Sequence, residues 1–136
     1  MKRLLMLSLI CFGLSITASA NEEVKSISYV SHCSNFATSG QPVSYSFSSC
    51  INNNFHSLGR EFDSPVYTSY CSNIGRSVSF SFISCINNNF RTLARALDST
   101  VYISNCASYD SNRLSPSFVS CANNNFRRIQ YELSRQ

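Results

Sequence analysis

The residues of this chain best suited to chemistry are six cysteines at positions 33, 50, 71, 85, 106 and 121. A seventh, Cys11, lies in an apolar N-terminal run. Cysteines can hold zinc, act as redox couples or form structural bridges. No C-x-x-C spacing occurs, which argues against a zinc knuckle and against a thioredoxin-like site. An even set in an exported chain points to bridges. Export is read from residues 1–20: Lys2 and Arg3 make a positive start, Leu4 to Ile16 is apolar, and Ala18-Ser19-Ala20 offers small residues for cleavage. Thirteen apolar residues are fewer than the roughly 20 that a helical membrane span needs, so no transmembrane segment is expected.

Asparagine is the second unusual feature. Triplets occur at 52–54, 87–89 and 123–125. A carboxamide offers both donor and acceptor, so these residues can hold backbone or bind polar ligands. Other catalytic parts are missing. His32 and His56 do not recur and read as surface residues. The acids are few and form no equivalent pair, as glycoside hydrolysis would require. The serines lack a G-x-S-x-G setting, and with four glycines there is no phosphate-cradling loop. The expectation is a protein that is not an enzyme, with no cofactor and no metal site. Beyond residue 20, nine cations face seven acids, a net charge of +2, too small for a nucleic-acid footprint. Arg60, Arg91, Arg95, Arg127, Arg128 and Arg135 read as a solvated helix face rather than a basic face for anionic lipid or polysaccharide, because net charge is low.

These residues sit in an internal repeat. SYVSHCSNF…SFSSCINNNF, VYTSYCSNI…SFISCINNNF and VYISNCASY…SFVSCANNNF recur about 35 residues apart. The expected organisation is a signal peptide over 1–20, an N-terminal segment over 21–28, and one domain over 29–136 built from units 29–65, 66–100 and 101–136. Each unit opens on a short β-branched and aromatic stretch that suits a strand, such as Val66 to Cys71. Period-2 alternation sets Tyr67, Ser69 and Cys71 on one face, with Val66, Thr68 and Tyr70 on the other. A helix follows. Phe47, Ile51, Phe55, Leu58 and Phe62 fall within roughly 80° of arc at ~100° per residue, and the other units match with Phe82, Ile86, Phe90, Leu93, Leu97 and Phe118, Ala122, Phe126, Ile129, Leu133. Ser44, Ser79 and Ser115 are placed as N-caps, and Pro116 as the first helical residue. A β-β-α unit is the rival reading, because Val43–Phe47 and Val78–Phe82 also alternate; Pro116 favours the helix start.

Six cysteines allow fifteen pairings; the expectation, resting on repeat symmetry alone, is bridges within units, Cys33–Cys50, Cys71–Cys85 and Cys106–Cys121, each adding about 3 kcal/mol by loop closure. Asn54, Asn89 and Asn125 return to the edge of the apolar stripe and are expected to bond the loop after the strand cysteine. Asn52, Asn53, Asn87, Asn88, Asn123 and Asn124 point elsewhere. They make a solvated face, contacts between units, or a ridge that binds glycan or peptide. The expected fold is α/β (or α+β): three tandem disulfide-linked strand–helix repeats, with a small parallel sheet under right-handed crossovers. That leaves a strand face of Val30, Val66, Thr68, Tyr70, Val101 and Ile103 uncovered, to be closed by a protein partner or a second copy. The expected function is a secreted or periplasmic non-enzymatic interaction or scaffold protein. The alternatives are a carbohydrate- or envelope-binding protein acting through the repeated Asn residues, and a small membrane-active or inhibitory disulfide-rich protein.

Overall fold

A computed structural model describes residues 28–36, 42–98, 100–110 and 112–136. The expected signal peptide, with Cys11, and most of the expected N-terminal segment, with Lys25, lie outside these residues. Among the described residues the regular elements are three helices: α1 (Tyr45–Arg60), α2 (Phe80–Ala96) and α3 (Pro116–Leu133). Each starts for the same local reason. The hydroxyls of Ser44, Ser79 and Ser115 accept from the backbone N–H groups of Phe47, Phe82 and Phe118, filling one of the orphan donors of the first turn. Pro116 opens α3, where its missing N–H costs nothing. α1 and α2 stop shortly before the turns at Asp63 and Asp98.

All fifteen stripe residues are buried, and those of the three helices meet in one core. Its centre is a triangle of Phe55, Phe90 and Phe126, one ring from each unit. Their centroids lie 4.8, 4.8 and 4.7 Å apart, with planes inclined by 59° to 63°. Such inclined pairs set ring edge against ring face, worth about 1 kcal/mol each beyond their burial.

The α/β (or α+β) fold expected from the sequence is therefore corrected: among the described residues no strand forms. The strand-like stretches 28–33, 66–71 and 101–106 are present, but each is wedged between two helices. The first is bound to α1 through Asn54 and to α3 through Asn123; the second to α2 and α1; the third to α3 and α2. A sheet needs neighbouring backbones ~4.8 Å apart, and here a helix ~10 Å across separates them. The backbone groups that a sheet would pair are met instead by asparagine carboxamides, which carry a peptide's donor and acceptor on a side chain.

The face assignments change with it. Tyr67 and Cys71, expected on one face, are 90% and 1% exposed. The apolar face thought to lie uncovered is largely turned inward: Val30 is buried, and Val66, Val101 and Ile103 pack against the core. These side chains fill the grooves between helices, so the surface on which a partner was expected is absent, and only Tyr70 of that set is a large exposed group.

The three disulfides join Cys33 to Cys50, Cys71 to Cys85 and Cys106 to Cys121, with Cα–Cα distances of 5.6, 5.7 and 5.6 Å. Each ties a segment to the helix that follows it. One glycine is required by a close approach. Val66 N–H donates to Gly59 O at 2.8 Å, and a Cβ on Gly59 would stand 2.2 Å from Val66 O. The chain leaving α1 thus doubles back across the helix where there is no side chain.

Candidate functional site

The asparagine triplets decide how the units join. On each helix the apolar stripe faces the centre and the two flanking edges face different segments. One edge carries the bridging cysteine and the third Asn, and both grip the helix's own segment. Asn54 accepts from Ser31 N–H at 3.0 Å and donates to Ser31 O at 2.8 Å; Asn89 does the same with Ser69, and Asn125 with Ser104. The partner residue lies two before the cysteine rather than after it, so the loop expected for this role is not the one used. The Nδ2 of each also approaches the buried sulfur of its own unit, at 3.3 to 3.4 Å.

The other edge carries the first Asn, which crosses to the next unit. Asn52 accepts from Cys71 N–H at 2.8 Å and donates to Cys71 O at 2.8 Å. Asn87 makes the same pair with Cys106, and Asn123 with Cys33. The third pairing closes a ring, because it joins α3 to the opening segment across 90 residues. Gln130 Nε2 adds a bond to Ser28 O at 3.1 Å on the same seam. Of the proposed ridge, then, Asn52, Asn87 and Asn123 are buried in junctions, while Asn53, Asn88 and Asn124 stay exposed. No buried side-chain nitrogen or oxygen among the described residues lacks a partner.

Large apolar groups are exposed at two repeat positions, one filled in all three units and the other in the first two. Three residues after the segment cysteine stand Phe36, Ile74 and Tyr109, and at the first helical position stand Tyr45 and Phe80, all at least 80% exposed. Leu114 N–H donates to Pro42 O at 3.2 Å, which brings the starts of α1 and α3 together at one end of the molecule. No acidic residue occupies the first turn of any helix. At this end Asp110 pairs with Arg113 at 3.3 Å. Glu61, Asp63, Asp98 and Glu132 lie instead at or just beyond the helix C-terminal ends. The acids thus gather toward the helix C-terminal ends, while exposed rings are not confined to the other end: Tyr29, Tyr67 and Tyr102, at equivalent positions of the three segments, are 81%, 90% and 73% exposed. Sequence reading missed the apolar end, although a large apolar residue three positions past each segment cysteine was a visible signal.

Among the described residues, clefts open at two of the junctions. One of about 400 Å³ lies between α2 and the third segment, with Phe80, Tyr109, Arg91 and Asn105 among its walls. The other, about 210 Å³, lies between α3 and the first segment and is bordered by Tyr29, His32, Arg127 and Gln130. The sequence expectation of a solvated arginine face holds for Arg91 and Arg127 in exposure only, since each also has a side-chain partner at a junction. Arg127 Nη2 stands 3.3 Å from His32 Nδ1, and both residues are exposed, as is His56. Arg128 instead donates to Tyr102 O at 2.6 Å.

Among the described residues no group of His, Cys, Asp or Glu has the arrangement to hold a metal ion. No described helix is long and apolar enough to cross a membrane. Compared with known proteins, the chain matches no family model, no curated protein and no solved structure.

Proposed function

We propose that this is an exported, non-enzymatic binding protein whose contact surface is the apolar end described above. The observation that carries the reading is the exposure of Phe36, Ile74 and Tyr109 at one equivalent position of the three units, with Tyr45 and Phe80 exposed at the first position of α1 and α2. Exposed apolar groups gathered at one end mark surfaces that meet something else. Three bridges in a small chain suit an oxidising compartment, outside the cell or in a periplasm. The bridges and the asparagine clamps also give the surface a rigid base, which limits the ordering entropy lost on binding.

The test compares the oxidised protein with a Phe36→Ser, Tyr45→Ser, Ile74→Ser variant. Both are immobilised and presented with phospholipid vesicles, cell-envelope polysaccharide and purified envelope proteins. Retention of one class by the native protein, lost in a variant with an unchanged unfolding temperature, supports the reading. Equal retention by both, or no retention by either, refutes it. Release of dye from intact vesicles would instead identify the membrane-active alternative.

A further inference from the structure

We propose that the cleft between α2 and residues 101–109 binds an acidic sugar, a ring-shaped body carrying a carboxylate. The inference rests on the reading of the protein as a binding module and names a ligand class for one part of it. Arg91 stands in this cleft with both ends of its guanidinium held. Nη1 donates to Asn88 Oδ1 and Nη2 to Asn105 Oδ1, each at 3.1 Å. Both partners are neutral, so they fix the orientation of the group without cancelling its charge. A guanidinium has five N–H donors in a planar fork, and that fork matches a carboxylate. Two donors are engaged here, which leaves the remainder for an anion.

The rest of the cleft suits a sugar better than an aryl acid. Phe80 and Tyr109 offer broad apolar surfaces, 84% and 97% exposed, to the C–H face of a pyranose ring. The carboxamide nitrogen of Asn105 and the hydroxyl of Ser84, both on the cleft wall, supply partners for sugar hydroxyls. An aryl acid would leave those groups without a use. The volume of about 400 Å³ falls within the ~300–1,000 Å³ of small-molecule sites.

The equivalent junctions lack this combination. Between α1 and the second segment, His56 stands where Arg91 stands. Between α3 and the first segment, Arg127 is present, but Pro116 replaces Phe80 and the cleft has about half the volume. The three units therefore share a framework, and one junction carries the cation and both aromatic walls.

The experiment is a titration of the ¹⁵N-labelled, oxidised protein with trigalacturonate, beside neutral maltotriose and phenylacetate. Amide shifts are expected around Phe80, Arg91, Asn105 and Tyr109 with the uronate alone, and added salt weakens them. Arg91→Gln lowers the affinity roughly tenfold to a hundredfold, the range for a hydrogen bond to a charged group, and Arg127→Gln leaves it unchanged. Arg91 is exposed, so an unchanged spectrum of the free variant confirms that it folds. Phe80→Ser provides a second, independent loss. Absence of shifts at millimolar uronate, an equal response to maltotriose or phenylacetate, or native affinity in Arg91→Gln overturns the proposal. If the uronate fails while retention through Phe36, Tyr45 and Ile74 persists, this inference falls and the proposed function stands.

Discussion

Replacing Asn87 with Ala removes one clamp between units and nothing else of similar weight. The carboxamide accepts from Cys106 N–H at 2.8 Å, donates to Cys106 O at 2.8 Å, and also donates to Ile83 O at 3.1 Å. Ile83 O retains its place in the helix, so its loss is minor. Cys106 is 1% exposed, and water cannot readily replace the missing partners of its backbone. Each buried polar group left unpaired costs about 1–3 kcal/mol. Ala is the better helix former by roughly 0.7 kcal/mol, which offsets part of that. The net loss is about 3 kcal/mol, or a drop in Tm on the order of 15 °C for a domain of this size. Thermal unfolding of the oxidised protein measures it, with Asn88→Ala as the reference. Asn88 is exposed and its carboxamide bonds Arg91 of its own helix rather than the backbone of the next segment, so its replacement changes stability by no more than about 0.5 kcal/mol. Equal Tm values for the two variants would refute the view that carboxamides stand in for strand pairing.

Three other outcomes follow from the packing. Gly59→Ala should destabilise by about 2 kcal/mol despite Ala's better helix propensity, because its Cβ meets the Val66 carbonyl; a Tm equal to or above the native value in a thermal melt would contradict the close approach. Phe90→Ala opens the centre of the aromatic triangle and should cost about 3–5 kcal/mol, read as a shift of the denaturant midpoint. Replacing both Cys71 and Cys85 with Ala should cost about 3 kcal/mol for a loop of 14 residues, and non-reducing peptide maps of the native protein should contain the three within-unit links and none between units.

The helices could be read from the sequence because their information is local. A serine cap, a stripe returning every three or four residues, and Pro116 at a first turn act over a few residues, and all fifteen stripe positions are buried. Of the fifteen pairings six cysteines allow, the one within units was favoured by repeat symmetry, and it is the one present. The same repetition hid the ring closure. Asn123 meets Cys33 across 90 residues, and nothing near either residue indicates it.

What tertiary structure alone decided is the fate of the strand-like segments. Val66 to Cys71 has the β-branched and aromatic composition of a strand, and composition reports only that a backbone is extended and half-buried. Whether its N–H and C=O groups find another backbone or a side chain depends on what lies beside it. Here a helix lies on either side, each presenting an Asn. The first Asn of each triplet was legible as a residue pointing away from the stripe, but its destination, a junction rather than a ligand, depended on how neighbouring units pack. The cleft at Arg91 has the same origin. Its aromatic walls and its guanidinium come from two units, and only the packing of α2 against the third segment brings them together.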